Sequence, residues 1–348
     1  MSIFCPGTSF EPGASGGNMG RPKRIAIAPG DPAGIGYEIS VQALSEIRES
    51  LKDCIIIIYA QHTLWKRAET MFAPQLGTIR ILSADQGVEP GMVYLIDPDT
   101  YFEVGQFKPG EIQAQNARCA YKGLMQIISD VKSDLIDGIC TGPIHKGAMR
   151  QAGIQEIGHT EMLAKGFECD NPLTMFQTRK LRIFFYSRHL SLREAIDALN
   201  TEGLVEFGMQ MDDQMRRLGF TNPHLAMAAL NPHASDGGQF GTEEREILLP
   251  ASSLLRTRGI DISDPIGADS VFAQASQGRY DAVLSLYHDQ GHIAAKTYDF
   301  ERTISLTLGL PCLRTSVDHG TAFDIAWQGL AQTISMRTAI ENMLEYLK

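Results

Sequence analysis

The clearest fold signal in the chain is the stretch Arg24–Ala60, RIAIAPGDPAGIGYEISVQALSEIRESLKDCIIIIYA. It opens with a short, mainly apolar run, and apolar residues then recur at helical spacing from Tyr37 to about Ser50. Cys54–Ala60 is an almost uninterrupted apolar run, which is typical of a strand buried on both faces. A strand, a glycine-containing loop, a helix and a second strand in this order predict a βα unit of a largely parallel sheet.

The same alternation continues along the chain and predicts the α/β class. Further strands are predicted at 78–82, 92–96, 135–140, 173–177, 181–186, 225–230, 282–286 and 304–308, and helices at 111–131, 202–218, 242–256 and 331–346. At roughly 100–200 residues per domain, the 348 residues favour two domains or one large one. Because no linker rich in proline, glycine or charge divides the chain, a boundary is expected inside the α/β pattern, near Thr141–Lys146.

The composition narrows the function classes. Lys and Arg total 31 and Asp and Glu 41, and the net charge of −10 has the wrong sign for a general nucleic-acid binder. No stretch approaches the roughly 18 apolar residues of a membrane span, so neither nucleic acid nor membrane is predicted as a partner. The six cysteines form no CxxC pair and are interpreted as reduced thiols of a cytoplasmic protein. Residues 1–23 lack an apolar signal region and are predicted to form a disordered tail.

Three histidines come just after predicted strands: His189 in SRHLSL, His233 in NPHASDGG and His288 in YHDQGH. Their wide spacing excludes a local zinc motif. The ends of three strands in one sheet can nevertheless converge, and three imidazoles with one open position form a catalytic metal site. Since a single histidine is more often a hydrogen-bonded loop residue, both interpretations stay open on the residues alone.

Other polar clusters also follow strands, where open α/β sheets bind their ligands. The loop PGDPAGIG lacks the dinucleotide and P-loop fingerprints, so it is either an anion-binding turn or a plain strand-to-helix connection. His159 and Thr160 in IGHTEML fit either a helix N-terminus or a substrate contact. Lys296 and Arg314 are cations near the His288 cluster in sequence, and Arg314 is interpreted as a clamp for a carboxylate or phosphate, with a surface ion pair as the alternative.

Seven blocks in consistent order, from about Arg24 to the C-terminus, resemble the 4-hydroxythreonine-4-phosphate dehydrogenase (PdxA) family. They are PGDPAGIG, TGPIHKGAM, GHTEML, LNPHASDGGQFGTEE, GADSVF, YHDQGHIAAK and LTLGLPCLRTSVDHGTAFDIA. The resemblance implies an isocitrate/isopropylmalate-dehydrogenase-like fold, in which two α/β/α domains flank a cleft. The first domain is then predicted to comprise residues 24–145 and 316–348, and the second, with the metal and substrate site, residues 146–315.

The resemblance also implies a site shared between the two subunits of a homodimer. The metal ligands would be His189, His233 and His288, the last from the second subunit. The metal would be zinc, magnesium or cobalt. The family's substrate contacts correspond to His159, Thr160, Lys296, Ser305 and Arg314. Lys296 would also act in catalysis, as a general base or as a fixed cation. The cofactor would be NAD or NADP, whose binding residues are unknown because the Rossmann fingerprint is absent.

Ser305 departs from the best-known branch of the family, which has asparagine at this position. A hydroxyl cannot span the same distance or donate two N–H bonds as an amide does. The blocks HDQGHI and HGTAFDIA look more like the branch that acts on 4-phospho-D-threonate or 4-phospho-D-erythronate.

The predicted function is therefore NAD(P)-dependent and metal-dependent oxidation, with decarboxylation, of one of these two acids or of 4-hydroxythreonine-4-phosphate, a substrate of pyridoxine biosynthesis. The alternatives are a dehydrogenase of a cyclic diol carboxylate, a metal-dependent hydrolase and a non-catalytic binding protein.

Overall fold

The computed structural model describes residues 21–99, 101–156 and 158–348, and these residues form twelve strands and eleven α-helices. The strands are β1 (Lys23–Ala28), β2 (Cys54–Tyr59), β3 (Ile79–Arg80), β4 (Val93–Ile96), β5 (Gly138–Thr141), β6 (Leu173–Thr178), β7 (Leu181–Phe185), β8 (Leu225–Ala228), β9 (Ile262–Ile266), β10 (Ala282–Ser285), β11 (Thr303–Leu308) and β12 (Leu313–Val317). The helices are α1 (Gly36–Glu46), α2 (His62–Phe72), α3 (Ala114–Lys132), α4 (Lys146–Gln151), α5 (His159–Gly166), α6 (Leu192–Asp197), α7 (Thr201–Arg217), α8 (Leu249–Thr257), α9 (Ala268–Ser276), α10 (His288–Asp299) and α11 (Ile334–Tyr346). No helix of the described residues is both long and apolar enough to cross a membrane.

The chain divides into two compact units. The first comprises the described residues up to Pro172 together with Thr307–Lys348, and the second comprises Leu173–Leu306. The prediction had placed these boundaries at 145/146 and 315/316. The difference at the first boundary arises because α4 and α5 bury Met149 and Leu163 in the same core as β1 and β2. At the second boundary, β12 pairs with β5 of the first unit.

The first unit is built on parallel strands in the order β3-β4-β2-β1-β5-β12. Ile56, Ile57 and Ile58 of β2 are 0 % exposed, as expected for a strand with helices on both faces of its sheet. The α/β class predicted from the alternation of strands and helices is therefore confirmed.

The second unit has the strand order β6-β7-β10-β8-β9, in which only the β6–β7 pair is antiparallel. β9 carries Pro265, which fits its place at the end of the order, since proline cannot donate a ladder hydrogen bond. The parallel strands β7, β10 and β8 are neighbours. The segments that carry His189, His288 and His233 therefore all leave the same edge of this sheet.

Sequence patterns were least informative at the chain start and in short helices. Residues 1–20 of the predicted tail lie outside the described residues. Residues 21–23 are not a tail, because the Arg21 guanidinium pairs with Asp137 at 2.9 Å and β1 already begins at Lys23. The prediction also missed α6, which has six residues but begins with a capping box at Ser191, and the 12-residue α10, whose first turn contains Gly291.

Candidate functional site

The PGDPAGIG loop follows β1, and backbone hydrogen bonds to neighbouring segments fix its conformation. A Cβ on Gly30, whose φ is +88°, would lie 2.0 Å from the Pro143 carbonyl oxygen, so only glycine fits there. The amides of Asp31 and Ile35 donate to the carbonyls of Pro143 and Thr321, each at 3.0 Å. Because these amides are used inside the protein, the geometry favours a structural connection over an anion-binding turn.

The carboxyl of Asp31 in this loop is 1 % exposed, and its Oδ2 has no hydrogen-bond partner among the described residues. Burial raises its pKa from 3.8 to about 7. When the pKa of a carboxyl is higher in the folded than in the unfolded state, the protein loses stability as the pH rises from the unfolded to the folded pKa. We therefore expect the wild type to lose up to about 4 kcal/mol of unfolding free energy between about pH 4 and about pH 8 relative to Asp31→Asn. Urea unfolding of both proteins at the two pH values measures this difference, and parallel pH profiles would contradict the expectation.

Arg314 on β12 is the most informative side chain of the first unit. It is 5 % exposed, and its Nε and Nη2 donate to the Thr141 hydroxyl at 3.1 and 2.7 Å. Its Nη1 donates to the hydroxyls of Thr307 at 3.0 Å and Thr160 at 3.5 Å. Burial lowers the pKa of Arg314 to about 10, so the guanidinium is still charged at neutral pH.

No carboxylate among the described residues pairs with Arg314, which rules out the surface ion pair that the sequence left open. Neutral hydroxyls orient the guanidinium but do not neutralise it. A buried, uncompensated cation in fixed orientation favours binding of an anion such as a carboxylate or phosphate.

His159 and Thr160 open α5 beside this guanidinium. Gly158 is the N-cap residue and no side chain caps the helix, so Thr160 is not the cap that one interpretation predicted. Burial and the Arg314 charge lower the pKa of His159 to about 3. The imidazole is therefore neutral in the working range of an enzyme and can donate and accept hydrogen bonds without adding a second positive charge. The structure thus brings together three of the predicted substrate-binding residues, His159, Thr160 and Arg314.

The three histidines of the second unit lie just beyond β7, β8 and β10. His189 and His233 are exposed, and the His288 side chain is 43 % exposed. Within the described part of one chain, no three His, Cys, Asp or Glu side chains are grouped closely enough to hold a metal ion. The convergence predicted from neighbouring strand ends therefore does not occur inside a single chain, and a ligand set completed by a second subunit stays a prediction.

Local contacts hold the His288 ring. Its Nδ1 lies 2.6 Å from Asp289 Oδ1, and the ring stacks on His292 at 3.8 Å between centroids and an angle of 12°. Phe176 and Phe185 pack against His292 at 4.3 and 4.4 Å. With Nδ1 engaged by a carboxylate, Nε2 is the nitrogen suited to bind a metal, the arrangement in which an outer carboxylate orients a histidine ligand.

His233 lies in an unusual left-handed turn. Residues 233–236 have φ values of 53, 53, 66 and 45°, which L-residues adopt only at a cost. Glu244, 2 % exposed, accepts the amides of Leu230 and Asn231 at 2.9 and 2.7 Å on Oε1 and the Asn231 side chain at 2.8 Å on Oε2. The Glu244 carboxylate therefore clamps the segment that leads into the turn and positions His233.

Lys296 and Ser305 are the remaining predicted site residues, and both lie in the second unit. Lys296 is half-buried on α10, with its Nζ 5.6 Å from the Phe300 ring centroid. Ser305 is half-buried on β11. The structure gives each a defined place but does not test their predicted roles.

Sequence reasoning missed Thr141, Thr307 and Glu244. Thr141 and Glu244 lie within blocks that were recognised, TGPIHKGAM and GTEE, and Thr307 lies in the β11 pattern. A strand threonine or a helix glutamate carries no distinguishing local signal, so only the fold shows that the two threonines hold Arg314 and that Glu244 holds the His233 turn.

Two units built mainly on parallel strands, with a buried arginine within β12 and histidines just beyond the carboxyl ends of β7, β8 and β10, are typical of an α/β enzyme. Residues 52–343 match the family model described as Pyridoxal phosphate biosynthetic protein PdxA. The chain therefore belongs to the PdxA family, as the motif resemblance implied, and is an oxidoreductase acting on CH–OH groups.

Individual relatives agree with this assignment. A protein of Halalkalibacterium halodurans named "Putative D-threonate 4-phosphate dehydrogenase" is 43% identical over 329 residues, which cover 94% of this chain and 98% of that protein. A 4-hydroxythreonine-4-phosphate dehydrogenase structure from Klebsiella pneumoniae aligns with a TM-score of 0.82 and 35% identity, covering 94% of this chain and 100% of that one. A terephthalate 1,2-cis-dihydrodioldehydrogenase from Burkholderia xenovorans LB400 shares the fold, with a TM-score of 0.65, 24% identity and coverage of 93% and 98%.

Proposed function

We propose that this protein catalyses NAD(P)-dependent oxidation, with decarboxylation, of a phosphorylated 3-hydroxy acid of the 4-phospho-D-threonate or 4-phospho-D-erythronate type. The observation that carries the proposal is Arg314, a buried guanidinium that hydroxyls hold and that no carboxylate of the described residues neutralises. Such a group fits an anionic substrate. The name of the Halalkalibacterium halodurans relative supports the threonate type over 4-hydroxythreonine-4-phosphate.

In this proposal each residue of the first unit has a separate role. Arg314 binds an anionic end of the substrate, and Thr141 and Thr307 keep the guanidinium in one orientation. His159, neutral because its pKa is about 3, and Thr160 orient the polar groups of the substrate. A protonated imidazole in place of the neutral one would repel Arg314 and compete for the same anion, so the lowered pKa preserves a single cation at this position.

In the second unit, Lys296 acts as general base or as a fixed cation, and Ser305 contacts the substrate where an asparagine would reach further. A bound nicotinamide would accept the hydride of the carbinol carbon, and Lys296, in its role as general base, would accept the hydroxyl proton. The product is a 3-keto acid, which loses CO2 when the negative charge that develops on its oxygen is stabilised.

His189, His233 and His288 supply imidazole nitrogens, the donors that suit zinc or cobalt, whereas magnesium prefers oxygen ligands. Of the three candidate cations, zinc and cobalt therefore fit these histidines best. When bound, such a cation lowers the pKa of the substrate hydroxyl and stabilises the charge that develops during oxidation and decarboxylation. Since no three such ligands are grouped among the described residues of one chain, we propose that two copies of the chain share them in a homodimer. The five described cysteines form no disulfide and are buried, which supports a reduced, cytoplasmic location.

The function is tested by incubating the purified protein with NAD+ or NADP+, with Mg2+, Co2+ or Zn2+, and with each of the three phosphorylated substrates or a cyclic diol carboxylate. The absorbance of the reduced cofactor is followed, together with release of CO2. We expect turnover of the threonate or erythronate phosphate that depends on both cofactor and metal. Product release without a nicotinamide would indicate a hydrolase. Binding without any product would indicate a binding protein. Turnover of a cyclic diol carboxylate alone would indicate the other dehydrogenase branch.

A further inference from the structure

Arg188 is a second cation that the described residues do not neutralise. It lies between β7 and α6, is half-buried, and its Nη1 donates to the Thr174 hydroxyl at 2.5 Å. Thr174 is 8 % exposed, so this contact lies against the protein rather than in solvent. No carboxylate among the described residues pairs with this guanidinium.

Other arginines of the second unit show the ordinary structural use. Arg302 pairs with Asp299 at 3.1 Å, and Arg216 pairs with Asp212 at 2.7 Å through two nitrogens. Exposed arginines can remain unpaired because water solvates them. A half-buried guanidinium held by a single neutral hydroxyl loses part of that solvation without gaining a counter-charge, which favours an anionic ligand as its missing partner.

The position of Arg188 indicates where that ligand binds. Arg188 directly precedes His189, a proposed metal ligand. The β6–β7 register pairs Met175 with Phe184, so Thr174 lies beside the carboxyl end of β7. Arg188 therefore occupies the same edge of the second unit's sheet as the segments that carry the three histidines.

The chemistry of the candidate substrates differs at one carbon next to the reacting one. Both carry a carboxylate at C1, the hydroxyl to be oxidised at C3 and a phosphate at C4. At C2 the phosphorylated threonate or erythronate has a hydroxyl, whereas 4-hydroxythreonine-4-phosphate has an ammonium group. A fixed guanidinium near the proposed metal ligand attracts the carboxylate of either molecule but repels the ammonium of only one.

We propose that Arg188 is a specificity-determining residue that selects a phosphorylated hydroxy acid over the corresponding phosphorylated amino acid. The inference rests on the proposed function, because it assumes that His189 lies near the reacting hydroxyl. Ser305 would discriminate between the two substrates by the length of its side chain, whereas Arg188 would discriminate between them by its charge.

The test compares the ratio of kcat/KM for 4-phospho-D-threonate and for 4-hydroxythreonine-4-phosphate in the wild type and in Arg188→Met. We expect the wild type to prefer the threonate and the variant to lose about ten- to hundredfold of that preference. Arg188→Lys keeps the charge and should keep most of the preference. Arg302→Met removes an ion-paired cation from the same unit and should leave the ratio unchanged.

A binding measurement supplies a readout without turnover. Calorimetric titration of each phosphorylated compound into wild type and Arg188→Met, without nicotinamide, should show the same loss of selectivity, with thermal unfolding confirming that the variants are folded. Equal losses for both compounds in Arg188→Met, an unchanged ratio, or a wild type that prefers the amino acid would each overturn the role of Arg188. Absence of cofactor-dependent turnover in the wild type would instead overturn the proposed function, and the binding ratios would then decide whether Arg188 discriminates between the two anions.

Discussion

Replacing Arg314 with methionine is expected to lower kcat/KM for the phosphorylated hydroxy acid by about 30- to 5,000-fold, because truncating one partner of a buried, hydrogen-bonded charge pair typically costs about 2–5 kcal/mol. This loss of kcat/KM should exceed the loss caused by replacing any charged residue on the surface. Arg314 is 5 % exposed, so water cannot take the place of the missing guanidinium. The hydroxyls of Thr141, Thr160 and Thr307 would remain, but none of them carries charge.

The same variant should be as stable as the wild type or more stable. The Arg314 cation is buried with no counter-ion among the described residues, and an apolar side chain of similar length avoids the cost of its desolvation. Steady-state kinetics and thermal unfolding of Arg314→Met measure the two effects together. Arg314→Lys is the matched control: it keeps the charge but cannot reproduce the planar fork that reaches two threonines, so an intermediate loss is expected. If Arg314→Met retains full kcat/KM, Arg314 does not bind the substrate.

Replacing His233 with alanine is expected to abolish metal-dependent turnover, with kcat/KM falling about 10^3-fold or more. A catalytic metal site has only three protein ligands, so the loss of one of them prevents metal binding. The metal content of the purified protein should fall in parallel. Turnover that remains at the wild-type level, with an unchanged metal content, would contradict the assignment of His233 as a metal ligand.

Two controls separate the imidazole of His233 from its backbone. His233→Asn should also lose the metal, but it preserves the turn because asparagine adopts positive φ more readily than most residues, and His233 has a φ of +53°. His224→Ala is the matched control in the same unit. The His224 ring lies 2.7 Å from Asp261 and stacks on Tyr280 at 4.8 Å, away from the proposed ligands, so that variant should keep both metal and activity.

Most of the fold could be predicted because its signals are local. The apolar run of β2, the helical spacing of α1 and the order of strands and helices follow from neighbours in the chain, and they were enough to assign the α/β class. The strand β9, with its proline, and the helix α10, with its glycine, were missed because tertiary contacts override weak local preference there.

The candidate site was predicted in its residue types but not in its contacts. Arg314 was interpreted as an anion clamp, yet its burial and the threonines that hold it are invisible in the sequence. The three histidines were assigned as ligands, but no pattern could show that His288 faces Asp289 and His292 or that one chain leaves the ligand set ungrouped. The domain boundaries shifted for the same reason, since the core that α4 and α5 join is formed by distant strands.

Sequence information alone therefore determined the fold class, the family and the chemistry of the side chains available to the site, because hydrophobic periodicity and motif order are properties of adjacent residues. Tertiary structure decided which of those side chains are buried, which charges go unpaired and which partners orient them. Thr141 and Arg314 show the physical reason: they are 173 residues apart in the chain but 2.7 Å apart in the fold. Only when parallel pairing brings β5 beside β12 is Arg314 buried against Thr141, and on this buried guanidinium the proposed anion site rests.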